Sequence, residues 1–259
     1  MSYINLRIVA ICLIISITSC KKEPCKPDSN KVCVLEQANS IISYRKFIKD
    51  SEGLLTQIEY YNTHDNKLIK VFKIGYNNEK QINWWENENN YDSITYKNDK
   101  IEKYYLIDVN NSKNNKMQTF EYNPNNQLIK VIVRDIKSYK NIGERRLTYS
   151  NGNVIKVEQT DSLNNISRIV HYKYNCKLRN PYKVIEFQAY QYSAIIYHQM
   201  CALSNNYCTE VSISDSETKY VTEVLESENS YPTSVIYKTF TNNILQNSSP
   251  KGTLSYNCD

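Results

Sequence analysis

Alternating apolar and polar positions recur through the middle of the chain and predict antiparallel β-strands. Four segments align without gaps: DNKLIKV, NDKIEKY, NNQLIKV and NGNVIKV. Each follows a tyrosine at a strand end, and Asn, Asp or Gly stands between that tyrosine and the aliphatic run; the tyrosines are Tyr61, Tyr96, Tyr122 and Tyr149. Because these turn residues tolerate the left-handed backbone of hairpins, each unit predicts a strand, a polar turn and a second strand.

The alternation within these units assigns side chains to the two faces of a sheet. Phe120 and Tyr122 share one face, and Ile129, Val131 and Val133 share a face of the next strand. The repeated lysines are predicted on the opposite face from these aliphatic residues, in contact with water: Lys70, Lys103, Lys130 and Lys156. The simplest role for these lysines is to form a charged sheet surface and protect strand edges.

The repeats predict an all-β fold. Weaker copies of the unit start at Tyr76 and Tyr174, which gives about ten strands of antiparallel meander between residues 55 and 174. Since strands twist relative to one another, the repeated hairpins are expected to form a curved sheet or a partly closed barrel. Further strands are predicted over 211–213, 220–225, 234–240 and 253–256.

Two segments outside the repeats have other patterns. Residues 34–48 suit either a short helix or the first strands, whereas 189–203 suit one short helix with an apolar face. We treat residues 35–259 as a single all-β domain.

Composition narrows the class of protein. The chain has 259 residues, is 41% hydrophobic and 23% charged, and contains 23 tyrosines, which argues against a polytopic membrane protein and against wholesale disorder. The formal charge is +5, but lysine and glutamate are interspersed. We therefore expect no nucleic-acid partner.

The first twenty residues predict export and a lipid anchor. Arg7 precedes an apolar run over 8–17 that is too short to span a bilayer, and Thr18 and Ser19 precede Cys20. The string ITSC followed by KKE resembles the lipobox of Bacteroidetes-type lipoproteins. That resemblance implies a signal helix removed as residues 1–19, lipidation (palmitate) of Cys20, a tether over 20–34 and attachment to the outer membrane. The alternative is an ordinary cleaved signal peptide.

Six further cysteines in the mature chain predict disulfides in an oxidising compartment: Cys25, Cys33, Cys176, Cys201, Cys208 and Cys258. Six cysteines allow 15 pairings. Spacing favours Cys25–Cys33 and Cys201–Cys208 as local loops, which leaves Cys176–Cys258 to tie back the terminus. A zinc site is the rival interpretation, but no CxxC motif occurs and the three histidines are scattered.

The hairpin units resemble degenerate YD repeats, the Tyr–Asp type hairpins of Rhs proteins. Here Asn, Lys or Ser follows the tyrosine, and the likeness covers residues 55–174. The strings YKYNCKLRNPY and SYPTSVIY near the end resemble a group of Bacteroidetes lipoprotein domains of unknown function, DUF4595. These resemblances imply an all-β envelope lipoprotein and carry no activity.

A search for catalytic motifs finds none of the common ones. The sequence has no HExxH, GxSxG, P-loop or GxGxxG, so we predict no enzyme activity, no metal and no cofactor. Glu86 and Asp92, near a tryptophan pair, are the best carboxylate candidates for hydrolysis, although a structural role is the stronger interpretation.

Trp84 and Trp85 are the main binding candidates, together with Tyr91 and Tyr96. Adjacent strand residues point to opposite faces, so one indole is expected to face away from the core and to be able to stack on a sugar ring or a partner. The alternative is that the two indoles cover the two faces of a thin sheet. The strings DSI and DSL resemble an O-glycosylation acceptor, which makes Ser93 and Ser162 candidates.

Together these patterns predict a non-enzymatic lipoprotein anchored to the outer membrane that binds a glycan, a protein partner or another envelope component. The side of the membrane stays open. A cell-envelope hydrolase with an unrecognised carboxylate site and a purely structural envelope protein are the alternatives.

Overall fold

Seventeen β-strands dominate the part of the chain that the structure describes, residues 33–39, 43–180 and 203–258 of a computed structural model. They are β1 (Cys33–Asn39), β2 (Ser43–Lys49), β3 (Leu55–Asn62), β4 (Leu68–Tyr76), β5 (Ile82–Glu86), β6 (Asn90–Lys97), β7 (Lys100–Asp108), β8 (Lys116–Tyr122), β9 (Leu128–Asp135), β10 (Asn141–Ser150), β11 (Asn153–Asp161), β12 (Ile166–Arg179), β13 (Asn206–Ile213), β14 (Thr218–Glu228), β15 (Tyr231–Thr241), β16 (Ile244–Ser248) and β17 (Gly252–Cys258).

The strands form an antiparallel meander that returns on itself. Consecutive strands pair from β1 to β16, and β1 also pairs with β17. Strand β15 contacts β17 through only two residue pairs, Ser234 with Thr253 and Val235 with Gly252. This short seam completes a nearly closed barrel, which confirms the predicted all-β class and the curved or partly closed architecture.

The meander also settles the segments with an ambiguous pattern. Residues 34–48 belong to strands β1 and β2, not to a helix. The ten strands predicted over 55–174 are β3 to β12, and among the strands of the described residues the sequence pattern missed only the short strand β16. The helix expected over 189–203 lies outside the described residues up to position 202.

Five hairpins share one irregularity at the tyrosine. In each hairpin, the strand after the turn has one extra residue between the partner of the tyrosine and the partner of the residue before the tyrosine. This extra residue forms a β-bulge. In β9 this residue is Ile129, and the bulge leaves Leu128 and Val131 both buried. The simple alternation that grouped Ile129 with Val131 and Val133 is therefore wrong at Ile129.

Tyrosine hydroxyls tie neighbouring units together. In four units, the tyrosine donates a hydrogen bond to the carbonyl oxygen of an apolar residue 14 to 21 positions earlier: Tyr76 to Leu55, Tyr96 to Ile82, Tyr122 to Ile101 and Tyr174 to Val154, with oxygen–oxygen distances of 2.6–3.2 Å. These bonds satisfy polar groups at the edge of the core, which explains why tyrosine, not phenylalanine, ends the repeated strands.

The first unit departs from this arrangement. Tyr61 stacks on Tyr44, with ring centroids 5.0 Å apart, and its hydroxyl contacts Glu59. Lys70 pairs with Tyr60 on the core side, where its ammonium lies 4.5 Å from the centroid of the Phe72 ring. The predicted water-facing position of the repeated lysine is therefore wrong for Lys70.

One main core fills the barrel. It combines buried aliphatic and aromatic side chains from β3 to β13, including Ile58, Trp85, Tyr104, Val131 and Val157. The turns leave the core at two ends, because successive connections of an antiparallel meander alternate between them. Left-handed backbone is confirmed at the predicted turn residues Asn66, Asn98, Asp99, Asn126, Asn151 and Gly152.

Candidate ligand site at the tyrosine-lined end of the barrel

The two adjacent tryptophans occupy opposite faces of β5. Trp85 is buried in the core, where its ring meets that of Tyr104 edge-on with centroids 5.9 Å apart. Trp84 is half-buried on the other face and stacks on Tyr91, with centroids 6.3 Å apart. The prediction that one indole faces away from the core is confirmed, and the outward indole is Trp84.

The outward pair depends on a glycine in the neighbouring strand. Gly75 pairs with Trp84, and a β-carbon at Gly75 would overlap the indole of Trp84.

Ser93, the other cross-strand partner of Trp84, lies half-buried on the same face. The turn residue Ser162 is exposed, whereas Ser93 is half-buried, and glycosylation stays a prediction for both.

Asp92 is a buried carboxylate beside Trp85. The indole nitrogen of Trp85 donates a hydrogen bond to Asp92 Oδ2. Burial raises the pKa of Asp92, and hydrogen bonds from Trp85, Tyr104 and the Ile107 backbone oppose that rise. Glu86 pairs with the outward-facing Tyr91 and with Lys73, so the two carboxylates considered for hydrolysis lie on opposite faces.

The raised pKa of Asp92 predicts a pH-dependent stability difference. In the unfolded chain the Asp92 carboxyl ionises with a pKa of about 3.9, which is lower than its pKa in the folded chain. As the pH rises, the carboxyl therefore loses its proton more readily in the unfolded chain, and the free energy of unfolding of the wild type falls. As the pH rises from about 4 to about 7, we expect the free energy of unfolding of Asp92→Asn to increase relative to that of the wild type, as measured by urea denaturation.

Asp108 supplies a control of opposite sign for this experiment. Hydrogen bonds, first from Asn114, lower the pKa of Asp108, so its stabilising contribution is present at neutral pH and lost as the pH falls. Asp108→Asn should therefore lose stability relative to wild type as the pH rises from about 2 to about 4, the range below the unfolded pKa, and show little further change from about pH 4 to about pH 7. Parallel pH trends for the two variants would contradict the assignment for Asp92.

A cavity opens where the repeated turns meet at one end of the barrel. It has a volume of about 560 Å³, and its lining includes three tyrosines from successive repeats, Tyr96, Tyr122 and Tyr149. The rest of the lining combines polar residues with a glycine and three aliphatic residues: Asn98, Asp99, Lys100, Asn126, Gln127 and Asn205, with Gly152, Ile101, Leu128 and Leu203. Of the four aromatic candidates from the sequence, only Tyr96 lies here.

Two tyrosines of this cavity, Tyr96 and Tyr149, stay protonated at neutral pH. Burial raises the pKa of Tyr96 to about 12 and also raises the pKa of Tyr149. The Lys100 ammonium lies 5.5 Å from the centroid of the Tyr122 ring. The cavity therefore offers aromatic rings and neutral hydroxyls together with amide, carboxylate and ammonium groups.

Sequence reasoning missed Tyr122 and Tyr149 as site residues, although it identified both as strand ends. The available signal was their repetition, because tyrosines at equivalent ends of successive hairpins must collect at one end of a meander. The positions of aspartate and glutamate in the sequence were a weaker guide to this cavity. Among the described residues that line the cavity, Asp99 is the one carboxylate.

No group of three or more metal-ligating side chains occurs within residues 33–39, 43–180 and 203–258. The lipidation candidate Cys20 and the disulfide candidates Cys25 and Cys201 lie outside these ranges, and so do the signal and most of the tether.

The disulfides differ from the predicted pairs. Cys33 is bonded to Cys258, 225 positions away, so the predicted pairs Cys25–Cys33 and Cys176–Cys258 are wrong. Cys176 is also disulfide-bonded. Cys208 carries a thiol that contacts the Glu210 carbonyl oxygen at 3.5 Å, so the predicted Cys201–Cys208 loop is not closed. Sequence spacing failed because the barrel brings the first and last strands together.

Comparison with solved structures gives a match to this architecture. A porin-like protein from Bacteroides uniformis superposes with a TM-score of 0.60 at 15% identity, over 92% of this chain and all of that one. The chain therefore shares the barrel fold of that structure. A porin-like protein from Bacteroides vulgatus gives a TM-score of 0.42 at 11% identity, covering 87% and 99% of the two chains.

Sequence comparisons add no family. No family model matches the chain, and no curated protein matches it significantly. Within the described residues, no helix combines the length and apolar character needed to cross a membrane.

Proposed function

We propose that this protein is a non-enzymatic lipoprotein of the outer membrane that binds a glycan at the tyrosine-lined end of its barrel. The observation that carries the proposal is the cavity of about 560 Å³ lined by Tyr96, Tyr122 and Tyr149. Its volume is within the range of small-ligand sites.

The chemistry of the lining matches a sugar. Aromatic rings pack against the apolar C–H face of a pyranose, while amides and charged groups bind its hydroxyls. Asn98, Asp99 and Gln127 supply both hydrogen-bond donors and hydrogen-bond acceptors in the lining of the cavity. A hydrolase is less well supported, because glycoside hydrolysis generally uses two carboxyl groups that flank the bond.

The distribution of charge supports a barrel outside the lipid bilayer. Ion pairs lie on the face opposite the core, for example Lys130 with Glu144 at 3.3 Å and Lys173 with Glu210 at 2.8 Å. A membrane-spanning barrel has the reverse arrangement, with apolar side chains outside and polar ones inside. We therefore assign membrane attachment to lipid on Cys20, as the ITSC string implies.

The repeated hairpins support the likeness to YD-repeat proteins. Each unit has a strand-ending tyrosine, a left-handed turn and a bulge at the same place. We propose that the chain is a short, degenerate relative of such repeats in which the tyrosines serve a binding site.

The outward pair of Trp84 and Tyr91 supports a protein partner as a second candidate. Tyr91 is 38% exposed and stacked on a half-buried indole, as in aromatic anchors of protein interfaces.

Replacing Tyr149 by alanine tests the glycan site. Removal of one stacking ring should weaken binding by about tenfold, which corresponds to about 1.4 kcal/mol. The probe is the best-binding oligosaccharide from a glycan array, with the affinity measured by calorimetry.

Tyr76 is the matched control for this variant. It ends an equivalent strand and donates to the Leu55 carbonyl oxygen, but it does not line the cavity. Tyr76→Ala should therefore leave glycan affinity within about twofold of wild type, a margin of roughly 0.4 kcal/mol. An equal loss in both variants, or no array signal from the wild type, would contradict the proposed site.

A further inference from the structure

The tyrosine-lined cavity is built from repeated units, and this periodicity bears on the shape of its ligand. Tyr96, Tyr122 and Tyr149 stand at equivalent ends of β6, β8 and β10. Strands β6 to β10 pair consecutively, so one strand separates each tyrosine-bearing strand from the next. The three tyrosines therefore form a row with Tyr122 in the middle.

The sheet sets the spacing of this row. Neighbouring strands lie about 4.8 Å apart, so strands that carry successive tyrosines are separated by about 10 Å. Burial, and after it the neighbouring Tyr122 phenol, raises the pKa of both Tyr96 and Tyr149, which agrees with a central Tyr122. A single pyranose ring is shorter than the distance between these strands.

Hydrogen bonds hold the first two rings at equivalent places. The Tyr96 hydroxyl donates to the Ile82 carbonyl oxygen at 2.6 Å, and the Tyr122 hydroxyl donates to that of Ile101 at 3.2 Å. Each bond reaches from the end of one strand to the beginning of a neighbouring strand. Because these rings are fixed before a ligand arrives, binding loses little conformational entropy.

Each unit also contributes an amide to the lining. In the first two turns the amides belong to Asn98 and Asn126, which have left-handed backbone. In the third turn Gly152 lines the cavity, and a β-carbon there would be 2.0 Å from Asn205 Nδ2. The third amide therefore comes from a distant part of the sequence, and all three units combine a ring with an amide.

Backbone hydrogen bonds fix Asn205 in this place. Its N–H donates to the Gly152 carbonyl oxygen at 3.3 Å, and its own carbonyl oxygen accepts from the Asn180 N–H at 3.3 Å. The next residue, Asn206, is buried and forms two hydrogen bonds with Asn153, each 3.0 Å long. The exposed Asn205 side chain is thus held in the cavity wall by the residues around it.

We propose that the cavity binds a linear β-1,4-linked glycan lengthwise, with every second pyranose ring on a tyrosine. This binding mode rests on the proposed glycan site and specifies the class of glycan. In such a glycan alternate rings present the same face, so its two-ring repeat matches the separation of about 10 Å between tyrosine-bearing strands. A pentasaccharide spans all three tyrosines, a trisaccharide spans two and a disaccharide contacts one.

The length of the glycan tests this binding mode. Cello-oligosaccharides and chito-oligosaccharides of two, three and five rings are titrated into the full-length protein, and the affinity is measured by calorimetry. We expect the pentasaccharide of at least one series to bind at least about tenfold more tightly than its disaccharide, because linked rings engage several sites of one row.

Variants at the centre and the end of the row give a second readout. A trisaccharide can use Tyr122 with either neighbour, so Tyr149→Ala should weaken its binding only about twofold, whereas Tyr122→Ala should weaken it about fivefold. Disaccharide affinity should fall by only about 1.5-fold in either variant, because two of the three tyrosines remain. A general loss of structure would instead weaken the binding of every length equally.

Asn205→Ala tests the same end of the row without removing a ring, since the Asn205 side chain is exposed. It should lower pentasaccharide affinity by about threefold and disaccharide affinity by less. Equal affinity for the disaccharide and the pentasaccharide, or equal losses at every length, would overturn the binding mode. Array binding of branched or differently linked glycans alone would overturn it and leave the glycan site standing, whereas no glycan binding at all would overturn both.

Discussion

Replacing Trp85 by alanine should lower the free energy of unfolding by about 3–5 kcal/mol. Trp85 is 2% exposed, packs edge-on against Tyr104 and donates to Asp92. The substitution creates a large cavity and also removes a hydrogen bond from a buried carboxyl group, and both effects destabilise the folded state.

Trp84 offers a control with the same side chain one position earlier. It is only half-buried on the outer face, so Trp84→Ala should cost about 1 kcal/mol. Both variants are measured by urea denaturation followed by circular dichroism. Equal losses for the two positions, or a larger loss at Trp84, would show that the faces of β5 are assigned wrongly.

Removing the disulfide between Cys33 and Cys258 should have the second large effect. The bond joins β1 to β17 across 225 positions of sequence, so it greatly restricts the unfolded chain. We expect the double variant Cys33→Ala, Cys258→Ala to lose about 3–5 kcal/mol of unfolding free energy. Alanine suits position 33 because the Cys33 side chain is buried.

The control for the disulfide variant is Cys208→Ala, which removes a half-buried thiol that closes no loop. It should cost about 1 kcal/mol or less. Denaturation is followed under oxidising conditions, because a reductant would also open the disulfide at Cys176. If the double variant and Cys208→Ala had equal stability, the barrel would not depend on a covalent link between its first and last strands.

The predictions that succeeded rest on short-range physics. Asn or Asp at a hairpin turn supplies a left-handed backbone within a few residues, as at Asn126 and Asn151. Alternation along a strand is equally local, and it placed Trp84 and Trp85 on opposite faces. These signals were sufficient for the strand count over 55–174 and for the meander.

The predictions that failed depend on register. A one-residue bulge beside each repeated tyrosine changes which aliphatic side chains face the core, and alternation alone does not reveal it. The disulfide partners were wrong for a similar reason. Spacing in sequence favours near neighbours, whereas closure of the sheet places Cys33 beside Cys258.

The sequence by itself determined an all-β chain of repeated hairpins with a tyrosine at each repeated strand end. Only the tertiary structure decided that Tyr96, Tyr122 and Tyr149 surround one cavity. Turn and strand preferences act over a few residues, but this cavity arises from the order and register of many strands, which follow from closing the whole sheet around a common core.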